Sequence, residues 1–278
     1  MTPAELILEI EQAFRSARLA YGHGTGNARD EAAWLVEAVL RARSGAPATR
    51  TARALAARRI RTRQPLAYLL HEAWIGEHRF YVDRRVIVPR SFIGELIGDG
   101  LAPWIARAPR RALDLCTGSG CLGILLAHRY PRCRVDLTDI SAAALQVARR
   151  NVALHRVRSR TRVTRSDLYA ALGDTKYDLI VANPPYVRAS SMKTLPAEYL
   201  REPRLSLAGG ADGLDLARRI ISGAGARLTK RGVLVCEIGH NRKALERAFP
   251  RTPFTWLETS AGDSYVFVLE REQLPLDA

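Results

Sequence analysis

From Ala112 onwards, apolar runs of four to seven residues alternate with stretches of helical periodicity, and this alternation restricts the fold more than any other feature. Short apolar runs separated by helices are what an α/β protein with a wound parallel sheet produces. Strands are expected near 112–116, 133–138, 161–165, 178–182 and 232–237, with helices near 120–129, 141–154, 212–228 and 241–249. The pattern alters at the end, where Phe254 to Thr259 and Tyr265 to Glu270 are joined only by Ser260-Ala-Gly-Asp-Ser264. No helix fits in so short a link, so the last two strands are expected to form an antiparallel hairpin.

Upstream the character differs. Leu6, Ile10, Ala13, Phe14 and Ala17 recur at helical spacing, giving an amphipathic helix over 4–20. Tyr21-Gly-His-Gly-Thr-Gly-Asn27 breaks it, and His23 among those glycines reads as a structural loop residue. Asp30 is the expected N-cap of a second helix, and Thr51 to Arg63 reads as a third. Trp74-Ile-Gly76, Arg79 to Asp83 and Val86 to Arg90 resemble a β-hairpin, and Ile93 to Ala106 returns to a helical pattern. The expected organisation is a small helical domain over 1–70, a β-hairpin linker over 71–92 and the sheet domain over 93–278.

At 278 residues the chain buries roughly three quarters of its unfolded surface. Its 47% hydrophobic and 26% charged content is that of an ordinary globular protein. No apolar run approaches the ~20 residues of a membrane span. Glu5, Glu9 and Glu11 stand where a signal peptide would be basic and then apolar. A cytoplasmic protein without membrane association is expected. Cys116, Cys121, Cys133 and Cys236 show no metal-ligand spacing and no histidine partners at such intervals, so no metal site is expected. The net charge of +15 is concentrated in the middle of the chain, where Arg149, Arg150, Arg156, Arg158, Arg160, Arg162 and Arg165 have no acid among them. Such a surface fits a polyanion such as ribosomal RNA. Arginine outnumbers lysine 39 to 4, and an arginine-rich genome composition is the other explanation.

Tyr177 to Tyr186 holds a buried-strand run that stops at Asn183-Pro184-Pro185-Tyr186. Neither proline can extend a strand, since each lacks a backbone N–H and has a fixed φ. An amide side chain, a rigidly aimed Pro184 carbonyl and an aromatic face converge there. They suit a planar group carrying an NH2, whose hydrogens Asn183 Oδ1 and the Pro184 carbonyl can accept while Tyr186 covers one face.

Asp114-Leu-Cys116-Thr117-Gly118-Ser-Gly120-Cys-Leu-Gly123 leaves the first strand of the sheet through glycines, and Asp139 follows the second. G-x-G-x-x-G with a later acid also describes a dinucleotide site. Charge favours a different ligand. A pyrophosphate on the glycine turn would face Asp114, whereas the sulfonium and ammonium of S-adenosylmethionine would be attracted to it. Asp114 near the methionine end, Asp139 on the ribose, and Asp167 with Leu168 beside the adenine place three acids at the ends of three successive strands.

These residues resemble the class I S-adenosylmethionine methyltransferases, whose sheet is seven-stranded and Rossmann-like with an antiparallel final hairpin. Gln64-Pro-Leu-Ala-Tyr68, Val88-Pro-Arg90, Asp139-Ile-Ser141, Ser166-Asp-Leu168, Glu202-Pro203 and Gly210-Ala-Asp-Gly-Leu-Asp215 extend the likeness across the chain to the HemK-like protein-(glutamine-N5) methyltransferases. Val88-Pro-Arg-Ser91, Cys116 and the Tyr21 to Thr25 loop are similar to the branch acting on a glutamine of large-subunit ribosomal protein three. The release-factor branch usually has Arg-Pro-Glu-Thr from position 90 and Gly at 116.

The resemblance implies S-adenosylmethionine as cofactor, held by Asp114, Cys116, Thr117, Gly118, Gly120, Asp139, Asp167, Leu168 and Asn183. It implies a substrate glutamine held by Asn183, Pro184, Pro185 and Tyr186. Glu202 either approaches the substrate or makes a loop salt bridge. Two other classes share parts of the pattern. An adenine-N6 methyltransferase on DNA or RNA would use Asn-Pro-Pro-Tyr but needs a target-recognition region, for which no stretch remains. A ribosome-associated binding module on the same fold would have no need of the intact acids and Asn183.

Overall fold

A computed structural model describes residues 1–42 and 48–275; the parts of the expected helical and sheet domains at 43–47 and 276–278 lie outside the described residues. The N-terminal unit contains α1 (Pro3–Ser16), α2 (Ala28–Arg41), α3 (Ala48–Thr62) and the short α4 (Leu66–Leu70). Thr2 and Glu5 form a capping box at the start of α1, satisfying two backbone donors that a helix start leaves unpaired. Leu6, Ile10 and Phe14, one helical turn apart, meet Leu35, Val36 and Ala52 in a core separate from that of the sheet. The start of α2 differs from expectation. Asn27 Oδ1, not Asp30, accepts the capping hydrogen bond from Asp30 N at 3.0 Å, so the helix opens three residues earlier.

β1 (Ala73–Ile75) and β2 (His78–Phe80) form the expected hairpin across Gly76-Glu77. Val86 to Arg90, although rich in β-branched residues, is not a strand. Val86 and Val88 are fully buried, but the Val88 N–H donates to Glu202 Oε1 at 2.8 Å, and Pro89 has no N–H to give a neighbour. α5 (Ile93–Gly98) is shorter than the helical pattern, as Gly98, Gly100 and Pro103 follow in quick succession.

The sheet domain contains β3 (Arg111–Leu115), α6 (Cys121–Arg129), β4 (Arg134–Asp139), α7 (Ala142–Leu154), β5 (Thr161–Arg165), β6 (Tyr177–Ala182), α8 (Asp215–Ala224), β7 (Leu228–Glu237), α9 (Arg242–Ala248), β8 (Thr255–Thr259) and β9 (Gly262–Glu270). The seven strands are ordered β5-β4-β3-β6-β7-β9-β8, with β9 alone running against its neighbours. The expected closing hairpin is therefore present. Alternate residues face opposite layers: Leu179 and Val181 pack with α5 and α6, while Ile180 and Ala182 pack with α8 and α9. Leu179, Ile180 and Val181 each add about 1.5–3 kcal/mol by leaving water. Among the described residues, no helix is long and apolar enough to cross a membrane.

Strand order reverses between β3 and β6, and a crevice opens at the carboxyl ends of strands where an open α/β sheet reverses. Leu115 is paired with Ala182 there. The residues that follow them, the glycine turn and Asn183, are therefore set side by side by the register.

Candidate active site

A cleft of about 510 Å³ lies at this reversal, within the size range of small-molecule sites. Asp114, Cys116, Thr117 and Gly118 line it from the end of β3, Asp139 from β4, and Asp167 and Leu168 from the end of β5. Asn183, Pro184, Pro185 and Tyr186 line it from the end of β6. Of the residues expected to hold a cofactor, only Gly120 stands back. It caps α6 with φ +85°, and its N–H donates to the Thr117 carbonyl at 2.8 Å, closing the turn.

The acids differ in setting. Asp114 is buried beneath the turn, where one carboxylate oxygen accepts from Thr117 Oγ1 and, at 2.8 Å, from Gly123 N. Burial pushes its carboxyl up to about 7, against the lowering effect of those two bonds. Asp139 accepts from Gly118 N at 2.9 Å and Ser141 N at 2.8 Å, and burial raises its carboxyl too. Asp167 is exposed and paired with Arg219 at 2.9 Å. Burial raises the Cys116 thiol, so it stays protonated and packs the wall. Cys116 also has φ +55°, a conformation costly for any residue with a Cβ.

No protein group among the described residues hydrogen-bonds the Asn183 side chain or the Pro184 carbonyl. Both acceptors at the cleft wall are free. Tyr186 is fixed instead: its carbonyl accepts from Asn241 Nδ2 at 2.8 Å, and its hydroxyl donates to Glu237 Oε1 at 3.3 Å. Its ring lies so close to Gly239 that a Cβ there would stand 2.6 Å from Tyr186 Cε2, and Gly239 has φ +54°. Burial pushes the Glu237 carboxyl up to about 7, although Ser91 Oγ, Phe92 N and Tyr186 donate to it.

Several residues of the site had no sequence signal. Arg219, on α8, reaches the cleft beside Asp167, and Tyr199 reaches it from the long connection after β6. Glu202 does not line the cleft. Its buried carboxylate grips Arg90 through two bonds of 2.7 and 2.6 Å, resolving its two readings in favour of the salt bridge. His23, from the N-terminal unit, stands 3.5 Å from the same carboxylate and is buried, the structural place expected for it.

The methyltransferase small domain family model matches residues 101–208. A protein of Neisseria meningitidis serogroup B named ribosomal protein uL3 glutamine methyltransferase is 52% identical, covering 94% of this chain and 90% of its own length. The chain belongs to the uL3 glutamine methyltransferase family. A Bordetella pertussis member of that name is 48% identical over 98% of this chain and 96% of its own. Among solved structures, the hMettl16 catalytic domain has a TM-score of 0.54 at 17% identity, over 78% of this chain and 81% of that one. A Pyrococcus furiosus methyltransferase reaches 0.50 at 18%, over 69% and 88%. These two likenesses establish the class I methyltransferase fold.

The site fits the cofactor of that fold. Gly118, at the tip of the turn, has φ +54° and no atom within 4 Å of where a Cβ would stand. A side chain there would enter open cleft, which is the space a ligand on the turn requires.

Proposed function

We propose that this protein is an S-adenosylmethionine-dependent methyltransferase acting on the side-chain nitrogen of a glutamine in large-subunit ribosomal protein three, uL3. The observation that carries this reading is the pair of acceptors, Asn183 Oδ1 and the Pro184 carbonyl, unpartnered among the described residues, at the wall next to the Gly118 turn. Asp114, Asp139, Asp167 and Leu168 would hold the cofactor, which would supply an electrophilic methyl on a sulfonium. An amide nitrogen is a poor nucleophile because its lone pair is delocalised into the carbonyl. Asn183 and Pro184 would accept its two N–H bonds, orient it in the cleft, and stabilise the positive charge that develops on it. Tyr186, locked by Glu237 and Asn241, walls the pocket. A nitrogen-protonated amide is acidic enough to lose its proton to water, so the site needs no general base.

The N-terminal helices serve substrate recognition: Tyr199, a cleft residue, donates to the Tyr21 carbonyl at 3.1 Å, so that unit borders the pocket. Ribosomal RNA contact through Arg149 to Arg165 is part of the same reading. Arg162 and Arg165 lie on β5, the edge of the sheet. Arg149, Arg160 and Arg165 donate to backbone carbonyls and Arg150 stacks on Tyr81, and among the described residues none of the four forms a salt bridge with an acid.

Labelled cofactor incubated with uL3, a release factor and nucleic acid tests the substrate. Label is expected on a glutamine of uL3; label on the release factor or on adenine would replace this reading, and none on any would leave a binding module. With ribosomal particles as acceptor, transfer is expected to fall steeply with salt if the arginines engage RNA.

Asp114 makes cofactor binding sensitive to pH. A cationic ligand binds its ionised form, so each bound molecule must displace a proton wherever Asp114 is protonated. With the free carboxyl at about 7, affinity is expected to weaken below pH 7, approaching about tenfold per pH unit. Calorimetry between about pH 8 and about pH 6 reads this directly. A flat profile would show that Asp114 is already ionised, or that the cation lies elsewhere.

A further inference from the structure

We propose that His78, His128 and His155 form a binding site for a divalent transition-metal ion, with zinc as the ion their chemistry suits best. The three come from different elements: His78 opens β2, His128 sits in the last turn of α6, and His155 is the C-cap of α7. One nitrogen of each lies within 4.8 Å of the other two.

His128 Nε2 and His155 Nδ1 are 3.2 Å apart, close to the ~3.3 Å edge of a tetrahedron whose metal–nitrogen bonds are about 2.0–2.1 Å. The other nitrogen of His155, Nε2, lies 2.9 Å from the Arg79 carbonyl. It must carry the proton to donate there, which leaves the Nδ1 lone pair facing the cluster. Metal-bound histidines show this arrangement, with the outer N–H held by a carbonyl.

His78 stacks on His128 with ring centres 5.0 Å apart and is the member carried by the hairpin. It turns inward to complete three nitrogen ligands, leaving a fourth position for water. Among the described residues no carboxylate belongs to the cluster. That disfavours calcium or magnesium, which need oxygen ligands, and leaves metals that prefer imidazole. A cleft of about 670 Å³ lined by His78 and His128 gives access.

The consequence is mechanical. An ion here ties the hairpin to α6 and α7, and the chain leaving that hairpin supplies Pro89, Arg90 and Ser91, which wall both this cleft and the methyl-transfer cleft.

The test uses the full chain without an affinity tag, titrated with Zn²⁺ by calorimetry and with Co²⁺ followed by visible absorption. One equivalent of Zn²⁺ and the intense bands of tetrahedral Co²⁺ are expected. His78→Asn, on a half-exposed residue, and His128→Gln should each weaken Zn²⁺ binding by at least about tenfold. Zn²⁺ should raise the melting temperature of the native chain and not of either variant. No saturable binding, or binding that survives both substitutions because the ion sits on cysteines, would overturn the site.

Discussion

Asn183→Ala is expected to lower kcat by about two to three orders of magnitude, the cost of removing one preorganised group that acts on developing charge. Cofactor affinity should stay within a few fold, because the acids and the Gly118 turn are untouched. The two effects separate because Asn183 makes no side-chain hydrogen bond to the protein among the described residues and is only half-buried. Its removal leaves no buried group unpaired, so the melting temperature should move little. Single-turnover transfer with saturating uL3 measures kcat, and calorimetry measures the cofactor. A variant with native kcat and a raised KM would mean that Asn183 only binds the amide and does not act on charge in the transition state. Asn183→Asp is the sharper companion. It retains an acceptor at the same place, so recovery of part of the rate would locate the effect in the oxygen.

The elements that the sequence made plain are those whose cause is local. Ile180 and Val181 are followed within four residues by two prolines, so both strand and stop are written in adjacent positions. The closing hairpin was legible from a five-residue link. Where a tertiary partner decided the structure, the local pattern misled. Val86-Ile-Val88 has strand composition, yet the Val88 N–H is taken by a carboxylate 114 residues away. The start of β7 was hidden because Leu228 to Gly232 is polar, and the register with β6 slips there, from Tyr177 paired with Leu228 to Leu179 paired with Val233. Arg219 and Tyr199 reached the site through folding alone. The histidine trio, separated by 50 and 27 positions, has no spacing to read.

Glu202→Ala is expected to destabilise the fold by about 3–5 kcal/mol, since it leaves Arg90 partly buried without its counter-charge, and to lower Tm by roughly ten degrees. Burial pushes the Glu202 carboxyl up, but the bonds from Arg90 and the nearby His23 outweigh it and hold it at about 2. The folded value is therefore below the unfolded one, taken as 4.5. The stabilisation from this group is present above that unfolded value and is lost as pH falls through about 2. A melting series in acid should show the native chain losing its advantage over the variant across that window. Equal melting temperatures at neutral pH would refute a stabilising role for the Glu202–Arg90 pair.

The prediction extends to catalysis, because Glu202 joins three parts of the chain at one carboxylate. It accepts from the Val88 N–H and from Arg90 in the segment after the β1–β2 hairpin, faces His23 from the N-terminal unit, and is carried by the connection after β6. Arg90 in turn lies 5.3 Å over the Tyr199 ring, and Arg90 and Tyr199 both line the cleft. Releasing Arg90 frees that wall and the contact between Tyr199 and Tyr21. Below its melting temperature the variant should therefore show a raised KM for uL3 with cofactor affinity intact. Arg90→Ala alone leaves a buried carboxylate and should be as damaging, whereas the double variant removes both charges and should recover part of the loss. Additive losses would mean that the two residues stabilise the fold independently, and the cleft would then owe its shape to the sheet alone.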